Sequence, residues 1–243
     1  MRQLWIGVLC CTVALSQKAH GAGINLFWDE CGPAGVSNKS FACDRNGGED
    51  ILIASFVLPK DVPDFVGILA QVDIRTPGVL PDWWRHGDRL RFGDECRDTS
   101  GLNVLAEFEN LSVCVDPYRG IRTSGYAYDV EFFSEDRARL RFQCAMEPKM
   151  TNALVVDEEY YGFQMILLHD KAVGEEACAG CALPACIVLN EVRVSPASVI
   201  PEVVLTNPER QNYAKWQEEA IPHCPEATRV PPTTWGRVRA LYR

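Results

Sequence analysis

Histidine is scarce in this chain, with four residues among 243. No Gly-x-Ser-x-Gly turn or other recognisable nucleophile turn accompanies them, which removes the triad hydrolases from consideration. His20 falls in the leader described below, so His86, His169 and His223 are the histidines that remain for acid–base chemistry beside the carboxylates. Positive charge is also short: 24 Lys and Arg face 33 Asp and Glu, a formal net charge of −9 at pH 7. Nucleic acid is therefore not expected as a partner, because that binding draws on clustered Lys and Arg to displace counterions. Long apolar runs are missing as well. The leading one, Leu4 to Leu15, is shorter than the ~20 residues a membrane-spanning helix needs, and no membrane span is expected. Internal repeats and low-complexity segments are absent.

What stands at the start is the three-part layout of a secretory signal. Arg2 supplies the positive end, Leu4 to Leu15 the apolar stretch, and Ala19-His20-Gly21-Ala22 the small residues for the peptidase. The reading is a signal peptide over residues 1–21, cut after Gly21 or Ala22, and a mature chain that is secreted, extracellular or periplasmic. Losing Arg2 and Lys18 would take the net charge from −9 to −11. Cys10 and Cys11 lie inside the apolar stretch behind Leu9, a poor context for a lipid anchor. Of 11 cysteines, nine remain after cleavage.

The middle of the chain alternates with period two, the mark of half-buried strands. Ile68, Ala70, Val72 and Ile74 face one way and Gln71, Asp73 and Arg75 the other. Tyr126, Tyr128, Val130 and Phe132 form a second row, Ala138, Leu140 and Phe142 a third, and Tyr161, Phe163, Met165 and Leu167 a fourth. Ile51 to Leu58 is apolar on both sides except at Ser55, which suits a strand covered on both faces. Ile187 to Val194 is rich in β-branched residues. Between Phe108 and Leu111 the alternation changes parity, which a bulge at Glu109-Asn110 would resolve. No stretch between these strands reads as a crossover helix, so the sheets should be mostly antiparallel. The tail reads differently. Asn207-Pro208 has the chemistry of a helix start, Tyr213, Trp216 and Ala220 recur at helical spacing, and Trp235, Val238 and Leu241 or Tyr242 share a face of a last helix.

In an oxidising compartment Cys31, Cys43, Cys96, Cys114, Cys178, Cys181, Cys186 and Cys224 are candidates for disulfides. The spacings suit Cys31 with Cys43 and Cys96 with Cys114, with the 178–186 cluster pairing within itself and with Cys224. The competing reading of Cys178-Ala-Gly-Cys181, Cys186 and His223-Cys224 is a zinc or redox site. We favour disulfides and expect no cofactor and no metal. Trp83-Trp84-Arg85-His86 are the candidate ligand-binding residues, since exposed tryptophans stack on sugar rings or on a partner's apolar patch. The alternative, which we favour, packs them over the end of a sandwich. Arg137, Arg139 and Arg141 line one strand face, suited to an anion or simply a solvated charged edge. Asp44 to Asp50 has the oxygens and glycines of a calcium loop without EF-hand spacing, and a polar hairpin loop accounts for it equally well.

Three stretches carry a resemblance: Ile24-Asn-Leu-Phe-Trp28-Asp-Glu-Cys31-Gly32, Cys178-Ala-Gly-Cys181 through Cys186-Ile-Val-Leu-Asn190, and Thr233-Thr-Trp235-Gly236 to Leu241-Tyr242-Arg243. The chain resembles a group of uncharacterised exported bacterial proteins with these signatures. The resemblance implies export and a common fold, and nothing about chemistry. It also makes Cys144 the odd, free thiol, because the other eight cysteines lie in or near the shared segments.

The expected fold is all-β: a mostly antiparallel two-sheet β-sandwich stapled by disulfides over residues 22–206, with a short helical C-terminal tail over 207–243 packed onto it. The expected function is a non-catalytic extracellular or cell-surface binding or structural protein, its partner a glycan or another surface protein. The alternative is an enzyme, either a carboxylate hydrolase or one using a zinc or thiol site in the 178–186 cluster.

Overall fold

The computed structural model describes residues 21–87, 96–97, 101–108, 113–119, 122–147, 149–198, 200–217 and 224. Within them the alternating segments become strands: β1 (Gly23–Trp28), β2 (Asn38–Lys39), β3 (Glu49–Val57), β4 (Val62–Arg75), β5 (Leu102–Leu105), β6 (Arg122–Val130), β7 (Arg137–Met146), β8 (Asn152–Leu154), β9 (Glu159–Leu168), β10 (Ala185–Pro196), β11 (Val203–Leu205) and β12 (Tyr213–Trp216). They form a four-stranded sheet in the order β1-β3-β9-β5 and an eight-stranded one running β2-β12-β10-β4-β7-β6, with β11 on β10 and β8 on β4. The pairing is antiparallel except between β2 and β12. This is an all-β two-sheet sandwich.

The alternating rows set the core. Ile68, Ala70, Val72 and Ile74 of β4 lie opposite Cys144, Phe142, Leu140 and Ala138 of β7, and all eight are buried. The second sheet closes over them, and Phe142 stacks on Phe163 of β9 with ring centres 4.8 Å apart. The two-sided apolar run of β3 also has its reason. Leu52, Ala54 and Phe56 face the main core, while Ile53 joins Cys31, Phe108 and Tyr161 in a second cluster on the outer side. A disulfide between Cys31 and Cys114 ties that outer cover down, with Cα atoms 5.5 Å apart.

Two sequence readings are corrected here. Tyr161 does not share a face with Phe163, Met165 and Leu167, because the β3–β9 register slips between Ala54–Phe163 and Ser55–Tyr161. Gly162 is the extra residue of that bulge, which sends Tyr161 outward. A Cβ on Gly162 would stand 2.8 Å from Ile68 Cδ1, so the end of that side chain would have to shift to admit one. The second correction concerns the tail. Residues 213–216 form strand β12 rather than a helix, paired with 185–188 of β10. Ala214 and Trp216 are buried and Tyr213 and Lys215 half-buried, a period of two that the helical spacing of Tyr213, Trp216 and Ala220 concealed. Asn207 does not cap a helix: its carbonyl accepts from the Ile24 amide at 3.0 Å. The sandwich therefore extends beyond residue 206. The last proposed helix, over 234–242, and the bulge at 109–110 lie outside the described residues.

Candidate functional site

One end of the sandwich gathers the features singled out in the sequence. Strand β4 ends at Arg75, level with Cys186 at the start of β10 and with Arg137 at the start of β7. Strand β12 ends at Trp216, opposite Ala185. The smaller sheet joins at the same place, where Trp28 Nε1 donates to the Lys215 carbonyl at 3.1 Å. The connections leaving Trp28, Arg75, Val130, Leu168 and Trp216 thus all start from this end.

Disulfides staple it. Cys43 pairs with Cys181, Cys96 with Cys178, and Cys186 with Cys224, at Cα separations of 5.9, 5.8 and 5.6 Å. The pairings Cys31–Cys43, Cys96–Cys114 and those within the 178–186 cluster do not occur. Spacing along the chain detects only local neighbours, whereas the fold brings distant loops together. Phe41 stacks on Trp216 at 3.9 Å, and Trp216 Nε1 donates to the Cys181 carbonyl at 2.6 Å, which carries Cys43 to Cys181. Lys171 Nζ donates to the Cys96 carbonyl at 2.7 Å, and the Cys178 amide donates to the Lys171 carbonyl at 2.8 Å. With Cys178, Cys181 and Cys186 all bridged, the cluster holds no thiolate for zinc or redox chemistry. His223 lies outside the described residues. Cys144 is a free, buried thiol, and burial pushes its pKa up to about 11.

Trp83 and Trp84 are buried, so neither offers a ring to a ligand. They pack on Trp216 with ring centres 6.0 and 5.4 Å away and plug the end of the core. His86 is buried too, edge-on to Tyr128 at 5.1 Å. Arg85 pairs with Glu131 and lies 4.0 Å from Asp82. The burial of the two tryptophans fits the packing alternative favoured from the sequence: apolar loops over an open sandwich end need a plug, and the tryptophans supply it. Beside them lies Arg97, which the sequence did not single out and which is fully buried. Its guanidinium sits 3.9 Å over the Trp83 ring and donates to Asp170 Oδ1 at 2.5 Å and to the Gly101 and Leu168 carbonyls.

The Asp44–Asp50 segment is not the hairpin loop the sequence offered: it crosses from β2 on the large sheet to β3 in the small one, and protein partners hold it. Asn46 makes two bonds to the Val173 backbone. Asp50 meets His169 Nε2 at 2.5 Å and Lys39 Nζ at 3.1 Å, and Lys39 also reaches Asp29 at 2.5 Å. Among the described residues no group of three His, Cys, Asp or Glu is placed to hold a metal. A carboxylate pair does form on the outer side of the small sheet. Asn25 Nδ2 donates to Glu159 at 3.0 Å and to Glu209 at 3.1 Å. Arg210 reaches both Glu159 oxygens at 2.5 Å and Glu209 at 2.7 Å. Both carboxylates are thereby locked in ion pairs.

What the loop end leaves open is a cleft of about 320 Å³ lined by Thr76, Pro77, Gly78, Val79, Pro81, Leu183 and Pro184. Val79 is 60% and Leu183 52% exposed on its rim. Composition alone did not mark it, because its walls come from two connections about a hundred residues apart. Comparison of the chain with family models, with curated proteins and with solved structures finds no match in any of the three.

Proposed function

We propose that the chain is an exported binding protein of the cell exterior that takes its ligand at the stapled loop end. The observation that carries the reading is the convergence there of three disulfides, an aromatic plug and an apolar cleft. Bridged loops on a rigid sandwich are preorganised for binding, since little order has to be imposed when a ligand arrives. Export is supported by eight bridged cysteines, an arrangement that persists in oxidising compartments. The leader-like residues 1–21 and the resemblance to exported bacterial proteins support it further. No helix among the described residues is long and apolar enough to cross a membrane. We read the role as binding rather than catalysis because His169, Asp50, Glu159 and Glu209 are engaged in internal pairs.

The test is a glycan array together with a panel of purified surface proteins, probed with the exported protein and three variants. Val79→Asp and Leu183→Asp alter the cleft rim. Ile200→Asp alters another exposed apolar residue (45%) in the connection beyond Pro196, at the opposite end. Binding should fall at least tenfold in the two cleft variants and hold in the third. Equal loss in all three, or binding unchanged by the cleft variants, would overturn the reading.

A further inference from the structure

Four polar side chains meet at the loop end, where β1, β2 and β9 stop and β3 begins. Lys39 Nζ stands 2.5 Å from Asp29 Oδ1 and 3.1 Å from Asp50 Oδ1, and Asp50 Oδ2 meets His169 Nε2 at 2.5 Å. Lys39 belongs to the large sheet and Asp50 to the small one. The four backbones are pinned. The Asp29 amide donates to the Ile51 carbonyl at 2.8 Å, the His169 amide to the Gly48 carbonyl at 3.0 Å, and the Gln217 amide to the Lys39 carbonyl at 2.9 Å. Asp50 lies opposite Leu167 in the β3–β9 ladder. Phe41 walls the group on one side: Lys39 Nζ lies 5.0 Å over its ring, and His169 stands edge-on to it at 6.4 Å. The Asp50 and His169 side chains are 8% and 13% exposed, against 43% for Asp29.

These are the parts of an amide condensation. An amine rests against a shielded carboxyl group, a second carboxylate stands ready to take the amine's proton, and an imidazole holds the oxygen that has to leave. Burial pulls the Lys39 pKa down, but the hydrogen bonds to Asp29 and Asp50 outweigh it and raise the pKa. The amine therefore rests as an ammonium and must pass a proton to Asp29 before it attacks. That makes the step slow, and one event in the life of a chain is all it requires. Fixed contact between well-oriented groups raises their effective concentration to about 10⁵–10⁸ M, and a site that excludes water protects the product from hydrolysis.

We infer that Lys39 and Asp50 condense into an isopeptide bond that ties the two sheets together covalently. Lys39 Nζ attacks Asp50 Cγ, the C–N bond forms, and the Cγ–Oδ2 bond breaks. The nitrogen gives up two protons and Oδ2 departs with two, as water. Asp29 takes protons from the nitrogen, and His169, in its protonated form, delivers to Oδ2. Nothing is oxidised or reduced, and the ammonium and carboxylate charges cancel. Asp29 and His169 then recover their starting protonation by exchange with solvent. The event is a single intramolecular linkage without turnover, so it stands apart from the binding reading above.

The test is the intact mass of the full chain, purified, aged, then reduced and unfolded. It should be lighter than its sequence mass by one water. Trypsin cuts between the two residues at Arg45, so the peptides carrying Lys39 and Asp50 should travel as one linked species, and tandem fragmentation should place the bond between those side chains. Lys39→Arg keeps a cation beside both acids and should show its full sequence mass. The linked fraction, followed over time after purification, should grow roughly tenfold or more slowly in Asp29→Asn and in His169→Gln. His169→Gln keeps a hydrogen-bond donor for Oδ2 but has no proton to release, which separates proton delivery from positioning. Full sequence mass in the aged wild type would overturn the inference, whatever the variants do. So would a water loss confined to the Asp50 peptide alone, which marks an aspartyl imide, or a water loss that persists in Lys39→Arg. Linking at the wild-type rate in both Asp29→Asn and His169→Gln would remove the roles given to those residues.

Discussion

Arg97 and His86 sit within the same plug yet meet burial in opposite ways. Arg97 keeps its charge inside the protein because Asp170, two carbonyls and the Trp83 face replace its water, and a buried cation is tolerable only when so compensated. His86 has no such company. It lies among Trp84, Tyr128 and Arg97, the Tyr128 hydroxyl is engaged with the Trp84 carbonyl at 2.7 Å, and neither ring nitrogen has a partner among the described residues. Burial, and then the Arg97 charge, hold its pKa well below the usual histidine value of 6.5. The folded protein thus keeps His86 neutral, while the unfolded chain takes up a proton below about pH 6.5. The stability tied to this residue is present above that pH and is lost as the pH falls below it, at up to about 1.4 kcal/mol per pH unit. Urea titrations between pH 7.5 and 5 should show that slope in the wild type and a slope smaller by one proton in His86→Gln. Parallel profiles would refute the assignment.

Strand β12 shows how an element is decided by its neighbours. Trp216 fills the space between Trp28, Phe41, Trp83 and Trp84, so Trp216→Ala should lower stability by about 3–5 kcal/mol, by analogy with large-to-small core changes, as read from denaturant midpoints. The amides of residues 213–216 should exchange slowly, as those of a paired strand do. The main rows of β4 and β7 were legible from alternation because both strands lie inside the sheet and show one apolar side. Tyr161 was misread because a one-residue bulge leaves no trace in a pattern of apolar letters. Trp83 and Trp84 were found as a feature, but burial against Trp216 is a property of the fold and not of their own segment. The cleft and Arg97 had no local signal at all, since each depends on chain segments that meet only in three dimensions.

Across the whole molecule the bridges join segments far apart, with separations of 83, 138, 82 and 38 residues. Long closed loops restrict the unfolded chain most in the chain-entropy account. Replacing Cys43 and Cys181 together by alanine should therefore cost about 2–5 kcal/mol, measured by urea unfolding under non-reducing conditions. It should also speed proteolysis in the 29–50 and 169–184 connections, while the strands stay protected. A double variant as stable and as protease-resistant as the wild type would show that this bridge holds nothing the plug does not already hold.

The order of those bridges along the chain sets a schedule for oxidation. The span from Cys43 to Cys181 encloses that from Cys96 to Cys178, and the span from Cys31 to Cys114 crosses both. A chain delivered N-terminus first presents Cys31, Cys43, Cys96 and Cys114 before either Cys178 or Cys181 exists in the compartment. During that interval just one of the possible pairs among the four is native, and the sequence-near pairs Cys31–Cys43 and Cys96–Cys114 compete with it. If either of those pairs forms first, it has to be undone by thiol–disulfide exchange once the last third arrives, so oxidative refolding of the reduced chain should be faster with an isomerase present than with an oxidant alone. Cys144 takes no part in that traffic once β7 is docked, because its thiol is sealed under the sheet and stays protonated.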